Sequence, residues 1–224
     1  MTYTELVAAI ESYTQNYEAD FVANIPTFVK QAEERIYNTV LIPALRKNVT
    51  GVTTNNNKYL SCPGDFLSVF SMAVIDVDGS YEYLLNKDVN FIRAAYPVPT
   101  DTGLPRYYAL FGPTVTTGVI TDELSFILGP TPDAAYNVEL HYYYYPESIT
   151  VAADGRTWLG DNYDPVLLYG SLYEAYIFMK GEADVLGMYQ QKYNDALAQL
   201  VRLGGALERG DAYRDGQYKG KALP

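Results

Sequence analysis

The sequence predicts an α+β protein: a helical bundle built from the N- and C-terminal helices, an inserted antiparallel β-rich domain, and an extended C-terminal arm. Three observations lead there. Apolar residues recur at three- and four-residue spacing in residues 2–40 and again in 164–203, the period of a helix with one buried face. Between them the period drops to two, in short β-branched and aromatic runs separated by Gly, Pro, Asn and Asp. Residues 206–224 carry few aliphatics and mixed charges, too little to build a core of their own. The expected division is 1–45 with 160–205 as the helical domain, 46–159 as the β-rich domain, and 206–224 as the arm.

Thr2 and Glu5 have the spacing of a capping box, and Leu6, Ile10, Tyr13 and Tyr17 follow on one face, so a first helix is expected over Tyr3 to Glu18. Asn24-Ile25-Pro26 is the next start signal. From it Phe28, Val29, Ala32, Ile36 and Val40 mark a second helix ending near Pro43. Beyond Pro43, Asn48 to Thr54 and Lys58 to Ser61 are extended runs around Asn55-Asn56-Asn57 and suggest a hairpin. Cys62-Pro63-Gly64-Asp65 turns the chain into a long apolar strand, Phe66 to Val77, and Asp78-Gly79 turns it again into Ser80 to Leu84. Asn86 to Ala95 reads as a short helix capped by Asn86. Arg106 to Leu110, Glu123 to Leu128 and Asn137 to Tyr145 are three further strands. In the last, Val138, Leu140, Tyr142 and Tyr144 face one way and Glu139, His141, Tyr143 and Tyr145 the other. Trp158 is expected to anchor the return to the helices.

Asp164-Pro165 then opens a helix, the carboxylate as its cap, with a stripe of Leu168, Leu172, Ala175, Tyr176 and Met179. Gly181 punctuates the pattern. A second stripe holds Val185, Met188 or Tyr189, Tyr193, Ala196, Leu197, Leu200 and Leu203, with Gly204-Gly205 as its stop.

Composition narrows the function classes. Residues 1–205 carry 12 Lys and Arg against 24 Asp and Glu, a balance of −12, whereas 206–224 carry four against three, a balance of +1. An acidic body cannot hold nucleic acid by neutralising phosphates, which needs clustered cations. The 23 tyrosines favour half-buried sheets and subunit contacts, since each has a ring to bury and a hydroxyl to satisfy. Cys62 and His141 are the sole residues of their types, so neither a disulfide framework nor a Cys/His metal cluster can be built. His141, mid-strand among tyrosines, reads as a hydrogen-bonded structural histidine. No stretch approaches the roughly 20 apolar residues that span a bilayer, and no leader pattern opens the chain, so a cytoplasmically made protein is expected. G-x-S-x-G, Walker A, G-x-G-x-x-G and H-E-x-x-H patterns are all missing. The expectation is therefore no enzyme, no catalytic residue, no metal and no cofactor.

An ordered set of residues resembles one family. Asn24-Ile25-Pro26-Thr27-Phe28-Val29 with Ala32-Glu33-Glu34-Arg35-Ile36, Cys62-Pro63-Gly64-Asp65-Phe66-Leu67, Leu128-Gly129-Pro130-Thr131-Pro132, Tyr142 to Tyr145, and Thr157-Trp158-Leu159 before Asp164 to Met179 are similar to the head-to-tail adaptor (connector) proteins of short-tailed bacteriophages. Cys62 stands where an aliphatic residue is usual. The resemblance implies a structural virion protein at the head–tail junction, assembled in the host bacterial cytoplasm. It implies self-association into a ring, a dodecamer, under the phage portal protein, with a tail or nozzle protein below and DNA passing through the channel without specific binding. It also implies that the arm binds the portal, through Arg209, Tyr213, Arg214, Tyr218, Lys219 and Lys221. Two other readings compete. A non-catalytic tail-associated carbohydrate-binding module would stack sugars on Tyr107-Tyr108 and Tyr142 to Tyr145, and a hydrolase would bring scattered carboxylates together in a cleft.

Overall fold

The structure, a computed structural model, describes residues 1–98, 100–112, 114–116, 119–122 and 124–208. In chain order its helices are α1 (Tyr3–Thr14), α2 (Ala19–Thr39), α3 (Val89–Ala95), α4 (Trp158–Asn162), α5 (Asp164–Phe178) and α6 (Ala183–Glu208). Its strands are β1 (Arg46–Val52), β2 (Tyr59–Ser61), β3 (Phe66–Ile75), β4 (Tyr81–Tyr83), β5 (Leu85–Asn86), β6 (Tyr107–Phe111), β7 (Thr114–Thr116), β8 (Val119–Asp122), β9 (Ser125–Gly129) and β10 (Asn137–Tyr144). The class is α+β, as the periodicity predicts. Two compact units divide the chain: Met1–Leu45 with the described residues from Pro146 onward, and Arg46–Tyr145.

In the helical unit the Thr2/Glu5 capping box forms, with the Glu5 N–H donating to Thr2 Oγ1 at 3.3 Å and the Thr2 N–H to Glu5 Oε2 at 2.8 Å. The helix stops at Thr14 rather than Glu18. Gln15 takes a left-handed φ of 50°, and Asn16 Oδ1 accepts the Glu18 N–H at 3.0 Å, which fixes a turn where the apolar stripe alone suggested another helical turn. Helix α2 starts at Ala19, before the expected Asn24-Ile25-Pro26, and carries Pro26 inside it. An interior proline costs about 3 kcal/mol. Burying Phe21 and Ile25 on the extra turn returns about 1.5–3 kcal/mol each, and both are 1 % exposed or less.

Helix α5 is apolar nearly all round because it packs on α1, α2 and α6. Val166, Leu167, Leu172 and Ala175 are buried. A Cβ on Gly170 would lie 3.1 Å from Ala32 and from the Tyr193 ring, so glycine sets how closely the three helices approach. Asp164 is the first residue of α5 rather than its cap, which is Tyr163. The carboxylate still favours the positive end of the helix. The expected stop at Gly204-Gly205 is also corrected, since α6 continues to Glu208. Gly204 serves packing instead: a Cβ there would stand 2.4 Å from Ile42 Cγ2.

The β unit holds two four-stranded sheets, β1-β10-β3-β4 and β2-β9-β6-β5, and the β7-β8 ribbon. The first is antiparallel throughout; in the second only the β5–β6 pair is parallel. Met72, Val74, Leu140 and Val138 from the first sheet and Phe126, Leu128 and Tyr108 from the second form one core. The strands expected to form a hairpin around Asn55-Asn56-Asn57 go to different sheets. Bonds to a distant segment draw the loop between them across: Thr53 Oγ1 accepts the Tyr136 N–H at 2.9 Å and donates to the Ala134 carbonyl at 3.1 Å, and the Asn56 N–H reaches the Pro132 carbonyl at 2.9 Å. The Asp78-Gly79 turn forms as expected, with Gly79 at φ 79°. Helix α3 is capped by Asp88, whose Oδ1 accepts the Asn90 N–H at 2.8 Å, because Asn86 is committed to β5.

Candidate functional site

The six cations and tyrosines expected to bind a partner, Arg209, Tyr213, Arg214, Tyr218, Lys219 and Lys221, lie outside the described residues.

In the β unit the side chains of β10 that turn away from the core meet residues of β1, β3 and β4. Glu139 is the hub: it accepts from Asn48 Nδ2 and from the Tyr81 hydroxyl, each at 3.0 Å. The bond to Glu139 and its negative charge push the Tyr81 phenol above its ordinary value. Ser71, Ala73, Tyr83 and His141 complete a small polar pocket of about 110 Å³ around this pair. The His141 ring sits edge-on against Phe70 at 5.1 Å, a packing contact in place of the hydrogen-bonded role expected of it. Phe70 in turn is covered by the Arg46 guanidinium, 3.8 Å above its ring, and Arg46 donates to the Tyr143 hydroxyl at 2.6 Å. The sequence offers no hint of this stack, because its members are 24 and 97 positions from Arg46 and β3 bulges opposite His141.

At the end of the same sheet Lys47 Nζ and the Tyr142 hydroxyl hold the two oxygens of Asp65, at 2.6 and 2.7 Å. Burial pushes the Asp65 carboxyl up, but the bonds from Lys47 and Tyr142 outweigh it and hold the group below the ordinary carboxylate range. Burial and the bond to Asp65 push the Tyr142 phenol up to about 12. Of the tyrosines that would stack on sugars, Tyr108 and Tyr142 are buried in the core, Tyr143 is covered by Arg46 and Phe70, Tyr107 and Tyr144 are half-buried, and Tyr145 is exposed.

Between the edge strands β1 and β2 lies a pocket of about 240 Å³ lined by Val49, Leu60, Cys62, Phe126, Val138 and Leu140. It lacks a convergent set of polar groups. Burial pushes the Cys62 thiol in its wall up to about 12, the opposite of what a nucleophile needs. Among the described residues no three His, Cys, Asp or Glu side chains come together as metal ligands, and no helix is long and apolar enough to cross a membrane.

The helical unit carries its own charged and apolar surface. Arg35 of α2 pairs with Glu174 of α5 and lies 5.3 and 5.8 Å from the Tyr173 and Tyr193 ring centres, tying three helices with one side chain. Tyr13, Tyr17, Ile177, Phe178 and Met188 are exposed. Glu33 is buried on α2, and its Oε1 accepts the Ile149 N–H at 3.0 Å.

The family model described as SU10 adaptor protein matches residues 1–217 of the chain. No curated protein matches the chain.

Proposed function

Since the chain belongs to the SU10 adaptor protein family, which makes it a structural phage adaptor, we propose that it forms a ring under the portal and joins the capsid to the tail machinery. The family match over 1–217 is the observation that carries this reading. In the proposed assembly the helical domain, 1–45 with 160–205, and the inserted domain, 46–159, make the wall of the ring. The chain beyond α6 reaches a portal subunit through Arg209, Tyr213, Arg214, Tyr218, Lys219 and Lys221, an ordering-on-binding mode suited to a segment with little to bury. Twelve copies is the expected number.

The channel's task is to let DNA pass without adsorbing. Residues 1–205 carry twice as many acids as bases, and a wall of that sign repels phosphate. No chemistry is asked of the protein in this role. A tail or nozzle protein takes the opposite rim.

Native mass measurement of the chain mixed with the phage's portal protein tests the proposal. The expected result is one closed complex with a fixed number of copies, lost on deleting residues 209–224. Absence of any complex, or a complex undiminished by that deletion, overturns it.

A further inference from the structure

We infer that neighbouring copies of this chain join through the two free edges of the sheet β1-β10-β3-β4, with β1 of one copy pairing antiparallel with β4 of the next. The inference rests on the ring reading above and names the seam.

Strand parity is the first support. The sheet has four strands, each antiparallel to its neighbour, so its edge strands β1 and β4 run in opposite directions. A second copy in the same orientation therefore presents its β4 to β1 with antiparallel sense, and the relation repeats from copy to copy. A contact between two different surfaces on identically oriented subunits generates a ring where the rotation from copy to copy closes. Among the described residues no strand covers the outer edge of either.

Charge is the second support. Residues 46–58, which hold β1 and the loop after it, contain Arg46, Lys47 and Lys58 and no acid. Residues 76–82, which hold the turn before β4 and most of that strand, contain Asp76, Asp78 and Glu82 and no base. Arg46 and Lys47 lie at the end of β1 away from these acids, and Lys47 is already paired with Asp65 of its own copy, so the complementarity rests on Lys58, on the loop after β1 at the acidic end of the seam.

Register is the third. Val52, Asn137, Ile75 and Tyr81 lie level across the sheet, as do Thr50, Glu139, Ala73 and Tyr83. Continuing the sheet in that register sets Tyr81 of one copy beside Val52 of the next and Tyr83 beside Thr50. Aromatic residues beside β-branched ones are favourable cross-strand neighbours. In a single copy Val52, Tyr81 and Tyr83 are 55 %, 51 % and 66 % exposed, apolar surface with nothing to cover it. Because β4 is three residues long, the seam makes few hydrogen bonds. It is weak between free subunits and effective once a portal holds copies side by side and raises their local concentration.

Replacing Tyr81 by the photoreactive p-benzoylphenylalanine tests the seam and tolerates a small stagger in register. Rings are assembled on the portal from an equal mixture of isotopically light and heavy chains, irradiated and digested with trypsin. Within one chain the two edges are three strand spacings apart, about 14 Å, so a cross-link between them is intermolecular. The expected product joins position 81 of one isotope to the peptide Asn48–Lys58 of the other. Rings that form but cross-link elsewhere overturn the seam and leave the ring reading standing. If no ring forms with either the variant or the unmodified chain, the ring reading falls and the seam with it.

Discussion

Glu33 is the clearest local tension in the molecule. The carboxyl is 3 % exposed, and Oε2 has no hydrogen-bond partner among the described residues. Burial raises its pKa, and the Ile149 N–H, the Ser148 hydroxyl and Lys30 offset that only in part. A carboxyl raised in the folded state binds its proton more tightly there than in the unfolded chain. Its contribution to stability is therefore complete below the ordinary carboxylate range and is lost as pH rises through the folded value. Glu33→Gln keeps an acceptor for Ile149 and removes the buried charge. Urea unfolding of both proteins between pH 4 and 8 is expected to show the variant gaining on the parent as pH rises; a constant difference would mean that the Glu33 carboxyl binds its proton equally well in the folded and the unfolded chain. Cys62 makes a second residue-level test. With its thiol pushed up to about 12 by burial, iodoacetamide at pH 8 is expected to label it far more slowly in the native protein than in denaturant.

Among elements, the end of α6 separates two adjacent glycines that the sequence treats as one signal. Gly204 has Ile42 Cγ2 at 2.4 Å from a virtual Cβ, and Ile42 is buried and β-branched, so it has nowhere to swing. Gly205 has nothing within 4 Å. Gly204→Ala is accordingly expected to destabilise by about 1–3 kcal/mol through overpacking, whereas Gly205→Ala is expected to stabilise by about 1 kcal/mol through helix propensity; thermal unfolding of the two variants gives the comparison. A shared sign would mean that the pair acts as a helix stop. The same contrast explains what was legible beforehand. Elements specified by neighbours in sequence were readable: the Thr2/Glu5 box, the Asp78-Gly79 turn, the alternation along β10. Those decided by a partner far along the chain were not. Pro26 reads as a start until Phe21 is seen packed 5.8 Å from Phe28 and 6.3 Å from Phe178. The Asn55 loop reads as a hairpin until Thr53 is seen bonded to Tyr136, 83 positions away. The surface features carry the same lesson, because Glu139 joins Asn48 and Tyr81 across 91 and 58 positions.

At the scale of the whole chain, one unit is interrupted by another, and the register of the interrupting sheet says how cleanly. Arg46 and Tyr143 are partners in the β1–β10 ladder, so the two ends of the β unit are about 5 Å apart at that pair. Leu45 and Pro146 lie only a few peptide links of 3.8 Å beyond it. The two ends of the β unit therefore lie close together, and its core of Met72, Val74, Phe126, Leu128 and Leu140 is drawn from its own strands. Two excisions follow. Residues 46–145 expressed alone are expected to unfold cooperatively, because the strands, core and Thr53–Tyr136 bonds all lie inside that range. Residues 1–45 joined to 146–224 by a short Gly-Ser linker are expected to keep the helical signal of α1, α2, α5 and α6 and to lose the β signal. Circular dichroism with urea titration reads both. The two pieces test different things: a β fragment that fails to fold would mean that its own core does not suffice to hold it, while a helical fragment that fails would mean that the helix packing around Gly170 does not by itself order α2 against α5.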